Sequence, residues 1–207
     1  MNSPDLAIRA VDPFDPDALS LLRAAAIEAR QIYADKIDAN APWPTNAPIP
    51  ARGIYLLAFI ADSPVGCGSL YPLDAAAAEI RRMYVVHPLR RSGIAQRLLQ
   101  ALESAAAQFG YATLRLETGI RQSAAMKLYE RAGFHRIAGF GAHGSDPLSV
   151  CYEKRAWGLG VGPGQDQEMK TAEYPHWALL SSCPGPRPQA PRPRPFLCAA
   201  NLARASQ

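Results

Sequence analysis

Between Glu79 and Gly110 a strand, a basic glycine-containing turn and a helix follow one another without a gap, and this block constrains the chain most. Met83 to Val86 is an apolar, β-branched run of the kind that forms a strand. His87-Pro88 stops it, because proline has no amide hydrogen for the sheet ladder. After Arg90-Arg91-Ser92-Gly93, the residues Ile94, Leu98, Leu99, Leu102, Ala105, Ala106 and Phe109 recur at helical spacing, and Gly110 ends the helix.

The turn therefore opens onto a helix N-terminus, where the first backbone amides lack partners and the helix dipole adds partial positive charge. Gly93 and Ala95 let a ligand approach the backbone, and Arg90, Arg91 and Arg97 add full charges. A diphosphate suits such a cradle. Taken alone, the same residues also describe an ordinary basic surface turn, since short glycine motifs match by chance.

Arg90-x-x-Gly93-x-Ala95 resembles the acetyl-CoA pyrophosphate loop of the GNAT superfamily of N-acetyltransferases. Leu128-Tyr129-Glu130-Arg131-Ala132-Gly133-Phe134 is similar to that family's second signature, and Leu116-Glu117-Thr118-Gly119 to a segment common in small bacterial members. Three matches in order are far more specific than one. The resemblance covers roughly residues 5–154 and implies an α/β GNAT fold, a mixed central sheet flanked by helices.

Read in order, Leu6 to Val11 is a first strand. Asp15 with Pro16 starts a helix, and Ala18 to about Asp35 is one helix or two. A proline-dense loop from Asn40 to Pro50 follows. Ile54 to Ala61 and Val65 to Tyr71 form a hairpin, in which Gly66 and Gly68 suggest a bulge or the close approach of another backbone. The central strand begins near Ala78. Ala112 to Thr118 is the next strand, Gln122 to Ala132 a short helix, and Phe134 to Ile137 and Leu148 to Glu153 are the last strands. Residues 1–154 are thus expected to form the acetyltransferase domain. Residues 155–207, with Gly158 to Gly164 and the Pro/Arg/Gly tract Pro184 to Pro195, are expected to be a disordered extension.

Composition narrows the partners. The net charge is +4 over 207 residues, but residues 155–207 hold six Lys/Arg against three Asp/Glu, leaving 16 against 15 in the body. A near-neutral body argues against a nucleic-acid footprint. No apolar stretch approaches the roughly 20 residues of a membrane helix. The N-terminus lacks the pattern of a signal peptide, so a cytoplasmic protein is expected. Cys67, Cys151, Cys183 and Cys198 show no C-x-x-C pairing, and His87, His135 and His143 show no metal-ligand spacing, so no metal is expected.

The resemblance implies acetyl-CoA as cosubstrate and a primary amine of a small molecule or amino-acid-like metabolite as acceptor, attacked directly in a ternary complex. The alternatives are a protein or peptide N-acetyltransferase, or a module that binds acyl-CoA without turnover. Homodimer formation through the late strands is an analogy with the family only. By resemblance, the cradle is Arg90, Arg91, Ser92, Gly93, Ile94, Ala95 and Gln96, the pantetheine arm pairs with backbone at Met83 and Val85, and Tyr129 protonates the departing thiolate. A core tyrosine is the plain alternative for Tyr129. Gln122 stands where many members carry an asparagine that contacts the cofactor. Glu79 matches the family's glutamate that takes the amine proton; an ion pair with Arg81 or Arg82 is its alternative, and Glu117 on the adjacent strand is its rival. Tyr33 and Trp43 border the expected acceptor site and either touch substrate or simply pack.

Overall fold

In a computed structural model, which describes residues 6–38 and 40–156, the chain forms one seven-stranded sheet with helices on both faces. The strands are β1 (Leu6–Ala10), β2 (Ile54–Ile60), β3 (Ser63–Pro72), β4 (Ala77–Val85), β5 (Thr113–Gly119), β6 (His135–Ile137) and β7 (Ser149–Arg155). The helices are α1 (Pro16–Ile32), α2 (Ile94–Gln108) and α3 (Ser123–Arg131). The sheet order is β1-β2-β3-β4-β5-β7-β6, antiparallel except between β4 and β5. The expected extension from 155 onward lies outside the described residues apart from Arg155, the last residue of β7, and Ala156.

The β2 run shows why the sheet is covered twice. Ile54, Leu56 and Ala58 enter one core with α2, while Tyr55, Leu57 and Phe59 enter a second core with Ala18 and Leu21 of α1. Alternate residues of a strand point to opposite faces, so an unbroken apolar strand needs a helix on each side. α1 is a single helix. Asp15 caps it by accepting the Asp17 amide at 2.8 Å, and Pro16 occupies the first turn. α2 lays Ile94, Leu98, Leu99, Leu102, Ala105 and Ala106 into the first core. Truncating a leucine such as Leu102 there costs about 2–5 kcal/mol.

Two irregularities shape the centre of the sheet. Between β3 and β4 the register steps from Cys67↔Tyr84 to Ser69↔Arg81, so Arg82 and Met83 together oppose Gly68. This is a β-bulge, and Arg82 sits at φ 60° within it. A side chain at Gly68 would run into the Met83 sulfur at 2.7 Å and Leu102 at 2.9 Å, so the position facing the bulge must be bare. The second irregularity is that β4 and β5 pair only from Ala77↔Thr113 to Ile80↔Leu116. Beyond Ile80 the two parallel strands part, and β5 stays paired with β7 to Gly119.

Candidate active site

The parting of β4 from β5 opens a cleft of about 340 Å³. Ile80 to Tyr84 form one wall and Glu117 to Gly119 the other; Gln122 and Tyr129 line it from the α3 side, and Ala25, Ala26, Ala29 and Arg30 from α1. Among the described residues, the β5-facing edge of Arg81–Val85 has no strand partner. Buried backbone groups require hydrogen-bond partners, so an extended, amide-containing ligand fits along this edge. Met83 lines the cleft, and Val85 is buried just beyond it.

Past Val85 a 3-10 turn, His87–Leu89, delivers the chain to the start of α2. Gly93 caps α2 at φ 86° in the left-handed region, and Arg91 precedes it at φ 66°. A Cβ on Gly93 would meet nothing within 4 Å, so the face is open and glycine is needed for its backbone angle. The first intrahelical bond runs from the Arg97 amide to the Gly93 carbonyl, which leaves the amides of Ile94, Ala95 and Gln96 for a ligand. Ser92 turns its hydroxyl inward to the Leu89 carbonyl at 2.6 Å.

Arg90 is placed differently from the other cradle residues. Its guanidinium grips Glu28 of α1 at 2.7 and 2.5 Å and donates to the Val85 carbonyl at 3.0 Å. Its charge is answered within the protein, and it ties the loop to α1. Gln122 is the residue before α3 and its side-chain oxygen accepts from the Thr118 hydroxyl at 3.3 Å, facing the cleft.

The two carboxylates read as rivals occupy different settings. Glu79 is 3% exposed, lies 2.5 Å from the Arg81 guanidinium and 3.9 Å from His143, and does not line the cleft. Glu117 lines the cleft with Tyr129 and is held by the Ser149 hydroxyl at 2.7 Å. Tyr129 is buried against Phe134 and Tyr152, with ring centroids 6.0 and 6.1 Å away. Burial first, and the Glu117 charge second, push its phenol above its ordinary value, so it stays protonated.

Tyr33 is buried, and its hydroxyl accepts the Arg121 amide at 3.0 Å, joining the end of α1 to the β5–α3 connection. Trp43 lies outside the cleft lining, its ring covered by Arg23 at 3.3 Å and Arg30 at 3.8 Å. The loop around it still contributes Ala41, Pro42 and Pro44 to the cleft. Of the lining residues that the sequence reading did not single out, two carry distinctive chemistry. Cys67 is buried at the cleft, where burial pushes its thiol up to about 11. Arg82 lines it from the bulge, and only its position opposite a bare glycine hinted at anything unusual. Among the described residues no group of three or more His, Cys, Asp or Glu side chains could hold a metal. Nor is any helix of the described residues long and apolar enough to cross a membrane.

Comparisons with known proteins agree with this geometry. Residues 18–134 match the model of the acetyltransferase (GNAT) family. An IAA acetyltransferase of Azospirillum brasilense is 37% identical over 101 residues, spanning 48% of this chain and 66% of that protein. The chain thus matches just under two thirds of the length of that curated relative. A solved structure from Klebsiella pneumoniae subsp. pneumoniae, assigned as a candidate acyl-CoA N-acyltransferase, is 32% identical, covers 75% of this chain and all of its own, and superposes with a TM-score of 0.61. A GNAT family acetyltransferase from Elizabethkingia anophelis with acetyl-CoA bound shares the fold at 19% identity, over 74% of this chain and 99% of its own, with a TM-score of 0.53. With the parted parallel strands, the glycine-capped helix and a family match over more than half its length, this chain belongs to the GNAT family of acetyltransferases.

Proposed function

We propose that the protein is an N-acetyltransferase that moves an acetyl group from acetyl-CoA to the primary amine of a small molecule or amino-acid-like metabolite, by direct attack in a ternary complex. The observation that carries this reading is the single cleft in which the free edge of β4, the Glu117 carboxylate and the Tyr129 phenol meet. Acetyl-CoA supplies an activated acyl group, so that a nitrogen–carbon bond forms, a carbon–sulfur bond breaks, the amine loses a proton and the departing thiolate gains one.

For each need the cleft and the start of α2 offer a group suited to it. The open amides of Ile94, Ala95 and Gln96, with Arg91 beside them, suit a diphosphate. The Arg81–Val85 edge suits the pantetheine arm, and an amide aimed at the thioester oxygen stabilises charge that develops there. Glu117 accepts the amine proton, directly or through water, and the cleft position favours it over Glu79. Tyr129 is held protonated and returns a proton to sulfur. Direct attack is favoured because the cysteine at the cleft, Cys67, is kept as a thiol, whereas a covalent acyl carrier needs the thiolate. Sheet order, helix placement and the open cleft edge support these roles together.

The test is free-thiol release from acetyl-CoA with a panel of amines, amino acids, polyamines and short peptides, alongside calorimetric coenzyme A binding. Turnover of small amines is expected. Turnover confined to peptides would shift the reading to a protein acetyltransferase, and tight binding without turnover on any amine to a sensor module.

A further inference from the structure

We infer that the acceptor carries a carboxylate close to its amine, as a free amino acid does, and that Arg82 is the residue that selects it. This inference rests on the acetyltransferase reading above and names the acceptor's chemistry within it.

The charges lining the cleft are three arginines, Arg30, Arg81 and Arg82, against the one carboxylate of Glu117. The Arg81 charge is answered by Glu79 at 2.5 Å. Arg82 makes no ion pair among the described residues, and its hydrogen bond goes to a neutral carbonyl, that of Thr45, at 3.2 Å. A guanidinium with no carboxylate partner, in a wall of a ligand-sized cleft, is a ready-made fork for one. It does not belong to the diphosphate cradle, since none of the residues at the start of α2 lines this cavity.

The backbone supports the same conclusion. Arg82 adopts φ 60° in the bulge that faces Gly68. A residue with a Cβ is strained in this region, and bulges beside sites re-aim side chains. A glycine or asparagine would hold the bulge at less cost, so backbone preference does not account for an arginine here.

The opposing walls then match a zwitterion. Arg82 stands on the β4 wall and Glu117 on the β5 wall of one cavity. A carboxylate on the first brings the neighbouring amine toward the second, which is where the proton must leave. Ala25, Ala26 and Ala29 of α1 and Pro42 of the loop form a small apolar patch beside Arg30 on the remaining wall. That surface accepts an apolar side chain and offers nothing to a second cationic group, which disfavours polyamines.

The test uses matched acceptors with the full chain: leucine, leucinamide and 3-methylbutylamine, which share a side chain and an amine and differ at the carboxylate. Wild type is expected to use leucine about 10- to 100-fold better in kcat/KM than the other two, the range of a charge-assisted hydrogen bond. In Arg82→Asn, chosen because asparagine tolerates the left-handed backbone, that ratio should fall toward one, and Arg82→Lys should restore part of it. Equal or better use by wild type of the two acceptors that lack the carboxylate overturns the inference. So does an unchanged ratio in Arg82→Asn, or coenzyme A binding with no turnover of leucine. Absence of both coenzyme A binding and turnover overturns the acetyltransferase reading itself, and this inference with it.

Discussion

The guanidinium of Arg90 holds both carboxylate oxygens of Glu28, 62 positions earlier, at 2.7 and 2.5 Å. The hydrogen bond from Arg90 is the main cause that holds the Glu28 carboxyl below its ordinary value of 4.5. A depressed carboxyl contributes stability that is present above the unfolded value and is lost as pH falls through the folded one. The two side chains are 35% and 29% exposed, so screening limits the pair to about 1 kcal/mol. Glu28→Gln should lower the melting temperature by about 2–4 °C at pH 7, and the difference from wild type should shrink as pH drops below 4.5. Thermal melts at pH 7 and at pH 3 check this. If Arg90→Ala weakens coenzyme A binding while Glu28→Gln does not, Arg90 returns to the cradle.

Gly93→Ala isolates backbone strain from crowding. The added methyl meets nothing within 4 Å, but φ 86° disfavours any residue with a Cβ. A stability loss of about 1 kcal/mol is expected. Gly93→Glu should add a negative charge at the open amides and weaken coenzyme A further, by an amount that calorimetry at two salt concentrations resolves. Identical coenzyme A affinity in Gly93→Glu and wild type removes the phosphate from this turn.

Tyr129→Phe keeps the ring that packs on Phe134 and Tyr152 and deletes only the hydroxyl. The expected result is a 10- to 100-fold loss in kcat, toward the low end of general-acid contributions because a thiolate leaves readily. The KM for acetyl-CoA should change little. Full activity would leave Tyr129 a packing residue.

Glu117→Gln and Glu79→Gln should fail in different ways. The first removes a carboxylate that lines the cleft and should lower kcat/KM about 10²-fold or more while flattening the pH–rate limb assigned to the base. The second leaves the Arg81 guanidinium without its buried partner and should show mainly as a lower melting temperature. A flattened pH limb in Glu79→Gln with none in Glu117→Gln reverses the assignment.

The fold was legible where local chemistry was strong. The apolar run Ile54–Phe59, the cap and proline at Asp15-Pro16, and the stripe from Ile94 to Ala106 each specify an element within one or two residues of where it lies. Gly66 and Gly68 pointed to a bulge or to the close approach of another backbone, and a bulge does lie opposite Gly68. Arg82 was not legible, because arginine has no preference for the left-handed region and the partner strand imposes it. The tie of Arg90 to Glu28 was hidden for a different reason, as nothing local links residues so far apart. Which glutamate faces the cleft depends on where β4 and β5 separate. That register is set by packing across the sheet, and no periodicity within either strand encodes it.

The short parallel seam has a mechanical side. Among the described residues, strand pairing joins β1–β4 to β5–β7 only through Ala77–Ile80 and Thr113–Leu116, so the sheet behaves as two plates on a narrow hinge. A guest lying along Arg81–Val85 acts as a splint across that hinge. Loading the cleft should then slow amide exchange at the far ends of β4 and β5, and raise the melting temperature with ligand concentration.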